Sequence, residues 1–144
     1  MNKKREMIVS VLYLLGKVWG RTFLQKFFYL LNRERYNQEL FEYEFYKYGP
    51  FCDEINEELT DLEIEGDVDE TAELTKGFNT SYTYELTKKG KESAQEIFNN
   101  KLSNEDRNNL IEYVNKFRDY TPTELLKYVY EKYPEVTENS EFEN

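Results

Sequence analysis

The sequence predicts a mainly helical α+β domain with a winged-helix-like core: three helices, one strand and a two-stranded wing, with additional C-terminal helices. Three observations carry that prediction. Apolar residues recur at helical spacing in two N-terminal segments and again after Gly49-Pro50. The period drops to two between Leu40 and Tyr46, as in a half-buried strand. Two further strand-like runs, about Asp69 to Thr75 and Tyr82 to Leu86, flank the turn-forming stretch Lys76-Gly77-Phe78-Asn79.

Taken in order, the first helix should run from about Lys4 to Val18, with Ile8, Val11, Leu12 and Leu15 on one stripe and Gly16 weakening it. The second begins near Thr22, placing Leu24, Phe27, Phe28 and Leu31 inward and Gln25, Lys26 and Arg33 outward; a loop at Asn37 and Gln38 ends it. In the strand from Leu40, Phe41, Tyr43 and Phe45 share the buried face, opposite Glu42, Glu44 and Tyr46. Gly49-Pro50 then punctuates, since proline gives no ladder hydrogen bond but suits a helix opening. The third helix, Phe51 to Glu63, buries Cys52, Ile55, Leu59 and Leu62, and Gly66 stops it. We expect Leu24, Phe28, Tyr43, Phe45, Ile55, Leu59 and Leu62 to form one core. Thr87 caps a fourth helix with Ala94, Ile97 and Phe98 inward, and Ser103 with Asp106 opens a fifth on Leu110, Val114 and Phe117. Thr121-Pro122-Thr123-Glu124 has the form of a capping box for a sixth, which ends before Pro134.

At 144 residues the chain suits one domain, able to bury roughly two-thirds of its unfolded surface. We assign residues 1–134 to it, with a core over 4–98 and a helical extension over 103–134, and treat 135–144 as an acidic mobile tail. Met7 to Gly16 imitates a signal peptide, but no small-residue cleavage site follows and Lys17 and Arg21 interrupt the run. It is too short for a membrane span, which needs about 20 apolar residues. One cysteine, Cys52, leaves no intramolecular disulfide, in keeping with a cytoplasmic setting.

Little catalytic chemistry is expected. The chain has no histidine, which removes Ser-His and Cys-His pairs and HExxH zinc sites. Cys52 shares a stripe with Ile55 and Leu59 and is expected to be a small buried residue rather than a nucleophile. Gly16-Lys17 lacks the rest of a phosphate loop, and carboxylates such as Glu57 and Asp61 are read as a solvated face rather than a metal site. No enzyme activity, cofactor or metal is expected.

The net charge of −10 hides a partition. Residues 1–35 carry eight basic and two acidic side chains, whereas residues 36–75 carry one and fourteen. A third helix holding Asp53, Glu54, Glu57, Glu58, Asp61, Glu63 and Glu65 is ill suited to lie among phosphates. Two readings remain. In the preferred one the chain is a docking module, with Glu57, Glu58 and Asp61 meeting a basic surface on a protein partner or a second copy of the chain, and Tyr46, Tyr48 and Phe78 as anchors. In the other it is a DNA-binding regulator using Arg21, Lys26, Lys76, Lys88 and Lys89.

The segments GRTFLQKFFYLL, FYKYGPF, the acidic helix closing at Gly66 and the terminal TPTELLKYVYEKYPEVTENS resemble YwgA-type bacterial and archaeal proteins over nearly the whole chain. The LQK of the second helix and the Tyr-Gly-Pro that follows are similar to SocA or Panacea antitoxin domains over residues about 20 to 65. The resemblance implies a winged-helix-like core and a regulatory or antitoxin-like role, and supplies no catalytic residues.

Overall fold

The computed structural model describes residues 2–46, 49–77 and 79–137. Six α-helices run through them: α1 (Lys3–Leu15), α2 (Arg21–Arg35), α3 (Asp53–Ile64), α4 (Lys88–Glu96), α5 (Asn104–Phe117) and α6 (Pro122–Lys132). A π-helical turn, Ile97–Lys101, extends α4, and a 3-10 turn, Pro134–Thr137, follows α6. Strands β1 (Lys17–Val18), β4 (Val68–Leu74) and β5 (Thr80–Leu86) form an antiparallel sheet in the order β1-β5-β4, while β2 (Glu44–Tyr46) and β3 (Gly49–Phe51) form a separate hairpin. The fold is mainly helical α+β, as the sequence predicts.

The helix starts follow from their capping residues. Ser103 accepts the Asp106 N–H at 3.0 Å. Thr121 accepts the Glu124 N–H at 3.1 Å while the Glu124 carboxylate accepts the Thr121 N–H at 2.9 Å, completing the expected box. Each such cap contributes about 1 kcal/mol. All the helices bury their apolar stripes in one cluster, in which Leu24, Phe28, Ile55, Leu59 and Leu62 sit with Phe27, Phe117 and Val129. At the sheet end, α4 crosses the Asp67 turn so closely that a Cβ on Gly90 would lie 2.0 Å from the Asp67 carbonyl oxygen.

Several sequence expectations change, among them the outward face given to Gln25 and Lys26, which are both buried because they bond the backbone of Cys52 and Pro50. The first helix ends at Leu15, not Val18, because Val18 leaves it to pair with Tyr84 as the short third strand of the sheet. The strand expected from Leu40 exists only over Glu44–Tyr46, and Phe45 is 44% exposed rather than in the core. Alternation misleads here because buried Asn32 takes the place of a neighbouring strand: its Oδ1 accepts the N–H groups of Leu40 and Phe41, and its Nδ2 donates to the Phe41 carbonyl. Phe41 is thereby buried from a loop, and Tyr43 is half-buried. Glu135 to Thr137 belong to the 3-10 turn, with Val136 buried and Glu135 2.5 Å from Arg33. The rest of the expected tail, 138–144, lies outside the described residues.

Candidate functional site

Residues Arg21, Thr22, Gln25 and Lys26 recur at i, i+1, i+4 and i+5, so one face of the first turns of α2 presents all four. Facing them are the β2–β3 hairpin, the start of α3 and Leu126 of α6. Together these line an open groove of about 970 Å³, whose walls include Phe45, Tyr46, Gly49, Phe51, Asp53 and Asn56.

The groove floor is built by side chains of α2 holding the backbone after Gly49. Gln25 Oε1 accepts the Cys52 N–H at 2.7 Å, and its Nε2 donates to the Cys52 carbonyl at 2.8 Å and to Asn56 Oδ1 at 3.3 Å. Lys26 Nζ donates to the Pro50 carbonyl at 2.8 Å, and Tyr43 Oη donates to the Gln25 carbonyl at 2.7 Å. Gly49 has φ +94°, and a Cβ there would stand 3.0 Å from Leu126 Cδ1, 3.2 Å from Tyr130 Oη and 3.4 Å from Lys26 Cε. The Leu-Gln-Lys and Gly-Pro segments are thus two halves of one contact.

Lys26 is 3% exposed, and burial lowers its ammonium from the ordinary 10.5 to about 8. Beside it, Arg21 is spread across α3 and β5. It donates to the Asn56 carbonyl at 2.9 Å, Thr60 Oγ1 at 3.2 Å and Tyr84 Oη at 3.0 Å, and pairs with Glu63 at 3.2 Å. Burial raises the Cys52 thiol, outweighing the α3 N–H groups of Ile55 and Glu54, so its environment does not favour a thiolate.

The acidic helix has two flanks beside its buried stripe. On one, Lys4 pairs with Glu54, and Arg5 reaches Glu58 at 3.8 Å, Asp67 at 3.8 Å and also Glu65. The basic first helix therefore offsets charges that the sequence leaves without a partner, and Glu58 faces α1. On the other flank, Asp53, Asn56, Glu57, Thr60 and Asp61 share a face; Asp53, Glu57 and Asp61 are exposed. Of the expected docking acids, Glu57 and Asp61 thus border the groove side and Glu58 does not.

Among the expected aromatic anchors, Tyr46 is 45% exposed over the groove, its hydroxyl donating to Glu44. Tyr48 and Phe78 lie outside the described residues. Neighbouring Phe45 makes an edge contact with Tyr29, the ring centroids 6.2 Å apart. Of the cations considered for phosphate contacts, Arg21 is engaged as above and Lys26 is buried. Lys89 donates to the Glu65 carbonyl and lies 3.5 Å from Asp67. Lys76 and Lys88 are exposed.

Sequence reasoning missed Phe45 and Trp19 as exposed features and Leu126 as a groove wall. Trp19, 54% exposed, borders a neighbouring depression with Arg21, Thr22 and Tyr82. A lone tryptophan immediately before the Gly20-Arg21 helix start is the one signal that could have drawn attention to it. Among the described residues, no helix is long and apolar enough to cross a membrane.

A comparison with curated proteins finds no match. The family described as Antitoxin SocA-like, Panacea domain, matches residues 24–134, a span that begins with the Leu-Gln-Lys of α2 and takes in the hairpin, the acidic helix and α6. The chain belongs to the SocA-like antitoxin family, as a Panacea domain.

Proposed function

We propose that this chain is a non-enzymatic, antitoxin-like module that neutralises a protein partner by docking it along the groove between α2 and the β2–β3 hairpin. The observation that carries the reading is the pair of exposed aromatics, Phe45 and Tyr46, held over an open groove of about 970 Å³ in a Panacea domain. Aromatic side chains at the centre of a concave surface are the usual source of binding energy. On the hairpin side Glu42, Glu44, Asp53 and Glu54 border an adjoining depression, and Glu57 and Asp61 extend the acidic face along α3. A partner with apolar side chains flanked by basic ones fits this surface.

The order helix, strand, helix, helix and hairpin, with β1 completing the hairpin's sheet, supports reading the core as a winged helix with the β2–β3 hairpin inserted before α3. DNA reading has less support, since α3, which would enter the major groove, carries the exposed acids. The lone buried thiol suits a cytoplasmic setting.

The test is growth of a host expressing a toxic protein that binds this chain, alone and with the chain. Rescue by the wild type and its loss in a folded Phe45→Ala/Tyr46→Ala variant supports the proposal. Equal rescue by both places the docking surface elsewhere.

A further inference from the structure

Among the described residues, Lys26 is a buried cation without a counter-charge. Of its three N–H donors, one is used, on the Pro50 carbonyl, and it forms no ion pair among the described residues. The other basic side chains around it are treated differently: Lys4, Arg5, Arg21, Arg33 and Lys132 each meet a carboxylate. Leaving an ammonium desolvated and unpaired is costly, and such departures from good packing concentrate at functional sites. Lys26 also lines the groove, with Phe45, Tyr46, Phe51 and Leu126 supplying apolar walls around it.

Two further depressions share walls with the groove. Phe45, Phe51 and Asp53 also border the depression that holds Tyr29 and Arg33, and Arg21 and Thr22 also border the one that holds Trp19 and Tyr82. A row of three adjoining depressions suits an extended chain segment that lies across all of them. We infer that the groove takes an internal, extended segment of the protein partner, and that a glutamate or aspartate side chain of that segment, flanked by apolar residues, reaches down to the Lys26 ammonium. The inference rests on the docking role proposed above and adds the chemistry that would be recognised. Specificity follows from the unused donors. A partner with glutamine at that position leaves the cation uncompensated, whereas glutamate neutralises it in a desolvated setting where a charge-assisted bond is strong.

The probe is a random heptapeptide library displayed on phage and selected against the wild-type protein and against Lys26→Met, the latter checked for folding by circular dichroism. The wild type should enrich peptides with an acidic residue beside aromatic or aliphatic ones. Changing that residue to Gln should weaken binding by about tenfold or more, the scale of one charge-assisted bond, and Lys26→Met should show neither the enrichment nor the Glu-over-Gln preference. A second readout uses the wild type alone: zero-length carbodiimide coupling of a selected Glu peptide should place the new amide on Lys26, as read by peptide mapping. Groove-bound peptides without acidic enrichment, the same preference in Lys26→Met, or coupling only to other lysines would overturn the inference while leaving the groove intact. If no peptide is enriched at all, the groove itself is contradicted, and the docking proposal falls with it.

Discussion

Gln25 and Cys52 exchange two hydrogen bonds, N–H to Oε1 at 2.7 Å and Nε2–H to carbonyl at 2.8 Å, so that a helix side chain serves the backbone as a neighbouring strand would. Both partners are buried. Replacing Gln25 by Leu would strand a buried N–H and a buried carbonyl together. We expect a loss of about 2 to 4 kcal/mol, measured by urea unfolding, with Thr22→Ala on the same face changing stability by less than about 0.5 kcal/mol.

Gly49 should tolerate no side chain. Its left-handed backbone and the contacts with Leu126 and Tyr130 both oppose one, so Gly49→Ala should cost at least about 1 to 3 kcal/mol. Gly77, whose added Cβ would meet only Asn79 Nδ2 at 3.4 Å, is the control: Gly77→Ala should unfold at nearly the wild-type temperature. Similar losses in the two variants would contradict this reading of the hairpin.

The core prediction separates two phenylalanines that the sequence places in one core, Phe28 by helical period and Phe45 by strand alternation. Phe28 is fully buried and Phe45 is not. Phe28→Ala should cost about 3 to 5 kcal/mol, whereas Phe45→Ala should cost less than about 1 kcal/mol and act on binding. Thermal unfolding of the two variants decides it.

This contrast shows what the sequence makes legible. Periodicity and caps report the helices well, because Ser103, Thr121 and Glu124 act within one turn of their own positions. The alternation from Phe41 to Phe45 reports only which side chains are apolar; it cannot show that Asn32 has already satisfied the backbone at Leu40 and Phe41. A two-residue strand such as Lys17–Val18 carries no period at all. The groove is legible only in part. Gly49-Pro50 stands out as punctuation, but Gln25 and Lys26 bond backbone atoms more than twenty residues away, so they read as an outward helical face. Likewise Glu58 looks like its neighbours Glu57 and Asp61 until Arg5 is placed beside it.

Lys26 sets a pH dependence. Burial lowers its folded-state value from 10.5 to about 8, so between those limits the unfolded chain binds the extra proton. The penalty for burying the ammonium is therefore full below about pH 8 and is relieved as pH rises toward 10.5. The gap corresponds to about 3 kcal/mol. In free-energy measurements from pH 7 to 10, wild type should gain on Lys26→Met as pH rises; tyrosine ionisation is common to both proteins and cancels. A difference that is constant across that range would mean that Lys26 is not desolvated.

The most direct measurement is hydrogen exchange of the chain with and without the protein partner proposed for it. Docking along the groove predicts new protection concentrated in residues 21–26, 44–46 and 49–52, with the outer strand β4 and the exposed face of α5 exchanging as in the free chain. Protection confined to β4 or α5, with the segments around Gln25 and Pro50 unchanged, would contradict it.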